Sequence, residues 1–188
     1  IELIKMIKTS ALIDDFPSAF RYPRGAVNKI EVKDQNEIEI GKGCIIAEGE
    51  NVAILNLGSK LETCLEASRV LSENNVKLTI ADARFAKPLD TELIDMLVEN
   101  HKYLITIEEG SIGGFASHVL NYIYNVRAKR TTTVVKNIFF PDKFVDHMTS
   151  QEQYNEIKMD VNSIVNKIKY LNNDKVIEMK NFNLNKNN

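Results

Sequence analysis

Three small groups of residues carry most of the reactive potential in this chain: a pair of arginines, a pair of glutamates and an acid beside a histidine. Arg21 and Arg24 flank Tyr22-Pro23, and Gly25 follows. A guanidinium fork beside a residue with no side chain suits a phosphate dianion. From composition alone a surface ion pair is the preferred reading of that pair. Glu108-Glu109 closes an apolar run, Tyr103 to Ile107, and opens a loop with Gly110, Gly113 and Gly114. Glycines where a strand meets a helix can cradle a phosphate, because the free N–H groups of the helix start point into the turn. Here the spacing is Gly-x-x-Gly-Gly, which is neither the dinucleotide pattern nor the P-loop. Two carboxylates beside it would also repel an anion. A tight turn that lets helix and sheet approach closely is the preferred reading.

Asp146-His147 could form an acid–base pair, yet adjacent residues rarely face each other, and local anchoring of the loop is expected instead. His118 sits one turn into a helical pattern and reads as a packed or interface residue. His101 falls at a helix end, where a cation is favourable. These three histidines assemble neither a Ser-His-Asp arrangement nor a metal-ligand cluster. Judged by these residues alone, the core is a scaffold without an active site.

The elements that must hold these groups follow from periodicity. Val52–Leu57 is a nearly continuous apolar run, as a strand covered on both faces requires. Gly58-Ser59 turns it into a helix with Leu61, Cys64, Leu65, Ser68 and Leu71 on one face, which makes Cys64 a core residue. Lys77–Ala81 reads as the next strand. The polar connection from Asp82 to Asp90 then lies at its carboxyl end, the edge where open α/β sheets take ligands. Asp90 is placed to cap a helix with Leu93, Ile94, Leu97 and Val98 on its buried face. The glycine loop leads into a helix with Phe115, Val119, Leu120, Ile123 and Tyr124 on one side. Thr132–Ile138 reads as a further strand, Ser150 and Gln153 have capping-box spacing, and Val161, Ile164, Val165, Ile168 and Leu171 form a last amphipathic stripe. The predicted class is α/β, a three-layer sandwich around a mostly parallel sheet of about five strands.

The flanks differ from this core. Ile1–Ile13 reads as the end of a helix, Ala19–Tyr22 as a short strand, and 26–50 as a linker containing a small hairpin or edge strand. The core unit is expected over 51–171, with an Asn- and Lys-rich tail over 172–188 expected to lack order. The first helical face has nothing before it to cap it, so the chain reads as a piece of a longer protein. At 188 residues and a net charge of -2, there is no electrostatic case for nucleic acid or an anionic membrane. No apolar run is long enough to span a bilayer. Two cysteines argue against a disulfide framework and a Cys-rich zinc site.

Several stretches resemble the 1-deoxy-D-xylulose-5-phosphate synthase family. They are Pro17-Ser18-Ala19-Phe20-Arg21-Tyr22-Pro23-Arg24-Gly25, Ile40-Gly41-Lys42-Gly43, Ala81 to Asp90, Glu108 to Phe115, and Pro141-Asp142-Lys143-Phe144-Val145-Asp146-His147. They fall in the family's order. The resemblance implies a transketolase C-terminal-like domain over 51–171, preceded over 1–25 by the end of a pyrimidine-binding domain. It implies a parent enzyme that joins pyruvate to glyceraldehyde 3-phosphate with loss of CO2, using thiamine diphosphate and Mg2+. It also implies a homodimer, with the loop from Gly110 to His118 as part of the contact, and assigns Arg24 to the phosphate of the aldehyde. The cofactor segments would lie upstream, leaving this chain inactive alone, with no catalytic, cofactor-binding or metal-binding residue of its own. A plastid-like organelle is the expected location where the source has one, and the cytoplasm otherwise. Two other readings stay open: the C-terminal domain of a related enzyme, such as a 2-oxoacid dehydrogenase β subunit, and a stand-alone dimerisation module.

Overall fold

The computed structural model describes residues 2–22 and 36–184. After helix α1 (Glu2–Ala11) the chain forms strands β1 (Cys44–Ala47), β2 (Val52–Leu57), β3 (Thr79–Asp82), β4 (Tyr103–Glu108) and β5 (Val134–Ile138). Between and after them come helices α2 (Leu61–Ser72), α3 (Thr91–Asn100), α4 (Phe115–Asn121), a π-helical turn (Tyr122–Val126), α5 (Ser150–Glu156) and α6 (Val161–Leu184). The sheet order is β1-β3-β2-β4-β5. The last four strands run parallel, and β1 pairs antiparallel with β3 at the edge. The edge strand expected in the linker is therefore β1.

Alternation along β2 explains the three layers. Val52 and Ile54 face one core, which they share with Cys64 and Leu71 of α2 and with Ile164 and Ile168 of α6. Ala53 and Leu55 face the other, with Leu93 and Leu97 of α3 and Phe115 and Val119 of α4. A strand buried on both faces has no polar position to spare, which is why its sequence is almost wholly apolar. Asn56 is the exception, fully buried at the strand's end.

Four expectations need correction. Ala19–Tyr22 is not a strand: these residues are exposed and pair with no strand among the described residues, although the Phe20 and Tyr22 rings stack 6.3 Å apart. β3 begins at Thr79 rather than Lys77, because the carbonyl of Lys77 accepts from Glu50 N–H (3.1 Å) in the turn before β2. β5 begins at Val134 rather than Thr132, because Thr131 and Thr133 donate their hydroxyls to the carbonyls of Val98 and His101 (3.3 and 2.9 Å) and so close the end of α3. Tyr124 is 59% exposed rather than on the buried face. The π-helical turn adds a residue per turn and shifts the phase of everything after Asn121. Helix α6 carries the expected stripe of Ile164, Val165, Ile168 and Leu171 into the core.

Candidate functional site

In a parallel sheet, binding crevices form where neighbouring strands send their following helices to opposite faces. Here one such point lies between β2 and β4. Strand β2 leads into α2 on one face and β4 leads into α4 on the other. The two turns that border it are Gly58-Ser59-Lys60 and Glu109–Gly114.

The second turn is built around an internal anion. Glu108, 5% exposed, accepts hydrogen bonds from the N–H groups of Phe115 (3.0 Å) and Ala116 (2.8 Å). A carboxylate is favourable there because the first N–H groups of a helix have no partner within it. The glycines make room for it. A Cβ added at Gly110 or Gly114 would stand 2.4 or 2.6 Å from Glu108 Oε2, and Gly113 adopts a φ of +94°. The phosphate-cradle geometry noted in the sequence is thus occupied by the chain's own carboxylate, and the preferred tight-turn reading holds.

The other side of the crevice is filled too. Lys60, 4% exposed, precedes the first turn of α2, and its ammonium lies 2.9 Å from the centre of the Tyr154 ring. The Tyr154 hydroxyl donates to the carboxylate of Glu109. Burial lowers the pKa of Lys60, with Glu109 opposing the shift. Burial first, and then the Glu109 contact, push Tyr154 up to about 12, so it stays a donor at neutral pH. Lysine, tyrosine and glutamate together pin α5 to the sheet.

A third cluster lies at the end of β3. Arg84 has a left-handed backbone (φ +56°), an uncommon conformation for a residue with a Cβ. Its N–H donates to Asp82 Oδ1 (3.1 Å), and its guanidinium sits 3.0 and 3.2 Å from the carboxylate oxygens of Glu2 on α1. Nothing in the sequence marks this strain, although Arg84 falls within the polar connection already singled out. Beside it Leu55, Ala83, Phe85, Leu89, Leu93 and Phe115 line a hollow of about 10 Å³, room for one water at most.

The other sequence candidates lie apart from these clusters. Arg24 lies outside the described residues, with Pro23 and Gly25. Arg21 is exposed. Asp146 and His147 are both exposed, and the Asp146 carbonyl accepts from Gln153 Nε2 (3.1 Å), a local anchor of the expected kind. His118 is half-buried on α4. His101 bridges the Leu97 carbonyl (2.9 Å) and Thr79 Oγ1 (2.7 Å), tying the end of α3 to β3. Cys64 is fully buried, and burial pushes its thiol up to about 12. Among the described residues, no group of three or more His, Cys, Asp or Glu could hold a metal ion, and no helix is long and apolar enough to cross a membrane.

Comparison with known proteins matches this architecture to a family. The chain is 45% identical over 156 residues to the chloroplastic 1-deoxy-D-xylulose-5-phosphate synthase 1 of Cannabis sativa, covering 81% of this chain and 22% of that protein. It is 42% identical over 154 residues to the 1-deoxy-D-xylulose-5-phosphate synthase of Rhodobacter capsulatus, covering 81% of this chain and 24% of that one. The chain thus spans less than a quarter of the length of either relative. A solved structure of a split-gene transketolase in an inactive β4 tetramer superposes with a TM-score of 0.64 at 25% identity, covering 75% of this chain and 46% of that one. The family model for the transketolase C-terminal domain matches residues 41–164, from the turn before β1 to the first turn of α6. This chain belongs to the transketolase C-terminal domain family.

Proposed function

We propose that this chain is the carboxyl-terminal part of a 1-deoxy-D-xylulose-5-phosphate synthase. The parent enzyme condenses pyruvate with glyceraldehyde 3-phosphate, releasing CO2 and forming a precursor of isoprenoids and thiamine. The observation that carries the reading is the identity of 45 and 42% to two such synthases over 81% of this chain. The 25% identity to a transketolase subunit gives less support to a relative of another specificity.

The parent's thiamine diphosphate and Mg2+ do not fit the described residues. The crevice between β2 and β4 is filled by Lys60 and Tyr154, and the helix start beside it is already taken by the Glu108 carboxylate. No step through the cofactor is assigned to this chain. Its role in the reading is to support a pocket built elsewhere in the parent and to lend it Arg24. The basis for Arg24 is the Tyr22-Pro23-Arg24-Gly25 motif, where a fork of donors beside a glycine matches the phosphate of glyceraldehyde 3-phosphate. The parent works as a homodimer, with the Gly110–His118 loop near the contact; Ile112 in that loop is 66% exposed. Plant relatives that are chloroplastic support a plastid-like location where the source has such an organelle, and a bacterial relative supports the cytoplasm otherwise.

The test is Arg24→Ala in the intact enzyme. The reading requires the KM for the aldehyde to rise far more than that for pyruvate, and equal changes in both would overturn the assignment.

A further inference from the structure

Among the described residues, Asn56 Oδ1 is one of four buried side-chain polar atoms without a hydrogen-bond partner. Asn56 is fully buried, and its amide nitrogen donates to the Gly58 carbonyl (3.0 Å), while Oδ1 has no hydrogen-bond partner among the described residues. An unsatisfied buried acceptor carries a desolvation cost, so such atoms in native proteins call for a donor. In the parallel ladder of β2 and β3, Asn56 stands directly opposite Asp82. Residues in register on neighbouring parallel strands point to the same face, as Ile54 and Ile80 do two pairs earlier. Asp82 is 8% exposed, and among the described residues its carboxyl makes one hydrogen bond, from Arg84 N–H to Oδ1.

We propose that Asp82 and Asn56 form a proton-dependent latch at the carboxyl end of the sheet: the neutral carboxyl group of Asp82 donates to Oδ1 of Asn56, and its other oxygen holds the N–H of the strained Arg84 turn. The groups around Asp82 are consistent with this. Burial is the main influence and raises its pKa; Glu2 of α1 acts in the same sense. The Arg84 N–H and guanidinium act against it. Cys44 of β1 pairs with Asp82 in register, and Cys64 lies on α2 above it; burial raises both thiols, which keeps them neutral. A carboxyl whose folded pKa is raised adds stability below its unfolded value, and that stability is lost as pH rises through the folded value. Ionisation therefore opens the latch and leaves Asn56 Oδ1 unpaired again, while the Arg84 N–H stays on the carboxylate.

The full 188-residue chain supplies the test. Asp82→Asn places a permanent N–H donor where the acid's proton would be. Its stability should equal that of the unsubstituted chain in mild acid and exceed it increasingly as pH rises, reaching roughly fivefold in the folding equilibrium constant. Lower stability of the variant at neutral pH would overturn the latch, since it would mean that Asp82 works as an ionised partner of Arg84. The cost of Asn56→Leu should be larger in mild acid than at pH 8 in the unsubstituted chain, and independent of pH when Asp82→Asn is also present. A cost that ignores pH in both backgrounds would instead assign the Asn56 acceptor to a buried water. If the variants do not fold, a carbon-13 carboxyl titration of the unsubstituted chain decides the matter: a midpoint above the ordinary aspartate range supports the latch, and one at or below it refutes it.

Discussion

Glu108 shows how one side chain can settle a choice that sequence pattern leaves open. A glycine loop between strand and helix suits either an external anion or a close turn, and the difference is whether the helix N–H groups already have a partner. Here they do: the carboxylate takes two of them while almost wholly buried. Glu108→Ala would leave both N–H groups buried and unpaired, so a loss of about 2–4 kcal/mol of folding stability is expected from chemical denaturation. Gly114→Ala should also destabilise, because the new Cβ would stand 2.6 Å from an oxygen that cannot move away without releasing Phe115 and Ala116. If the Glu108 substitution proved neutral, the carboxylate would not be what holds the turn. Cys64 gives a separate check at the same scale. Its thiol is fully buried and its pKa is about 12, so it should resist alkylation at pH 8 in the folded chain and react at the ordinary rate once unfolded. Rapid labelling of native Cys64 would contradict the packing of α2 on the sheet.

Asp90 links two elements and was readable in advance. One oxygen caps α3 by accepting from Leu93 N–H (3.0 Å), and the other accepts from Gly43 N–H (2.9 Å) just before β1. Its side chain is 9% exposed. Asp90→Ala removes a helix cap and a tether of the antiparallel edge strand together, with an expected loss of about 2 kcal/mol; Asp90→Asn should keep much of it. Proportional losses in thermal and chemical unfolding would support this, and faster amide exchange confined to α3 and β1 would show where the loss falls. The cap was legible because an acid before a periodic apolar face has a local cause. The continuous apolar strands and the α6 stripe were legible for the same reason. The cap of α5 was misplaced by one residue: Thr149, not Ser150, is the cap, and Glu152, not Gln153, returns the bond, because a carboxylate suits the positive helix start better than an amide does. Long-range pairing set what could not be read. Lys60 under Tyr154, Arg84 on Glu2 and the buried Arg127 held 2.6 Å from both Asp95 and Glu99 join residues far apart in the chain. No spacing rule connects them, and the left-handed backbone of Arg84 leaves no trace in its residue type.

For the whole molecule, the question is what a domain whose β2–β4 crevice is occupied by its own side chains would contribute to the proposed parent enzyme. The carboxyl edge of its sheet, where a stand-alone α/β protein of this order would take a ligand, is closed by Glu108, Lys60, Tyr154 and Glu109. On the function proposed above, such a domain contributes through surfaces and flanking segments, and the segment proposed to do so is the Tyr22-Pro23-Arg24-Gly25 stretch. Losing a charged hydrogen-bond donor to a phosphate costs about 1.5–3 kcal/mol, which corresponds to roughly 10- to 150-fold in affinity. In the intact enzyme, Arg24→Ala should therefore raise the KM of glyceraldehyde 3-phosphate by at least tenfold while that of pyruvate stays within about twofold. An aldehyde lacking the phosphate provides the control: its already weak turnover should not respond to the substitution, because the interaction removed is one it never makes. Arg24→Lys separates charge from geometry, since a lysine keeps the charge but loses the two-point fork, and partial recovery of the aldehyde KM is expected. The purified 188-residue chain, assayed beside the intact enzyme, should show neither turnover of pyruvate nor heat of binding with thiamine diphosphate. Turnover by this chain alone would place the reacting pocket inside the fold described above and remove the basis for reading it as a supporting domain.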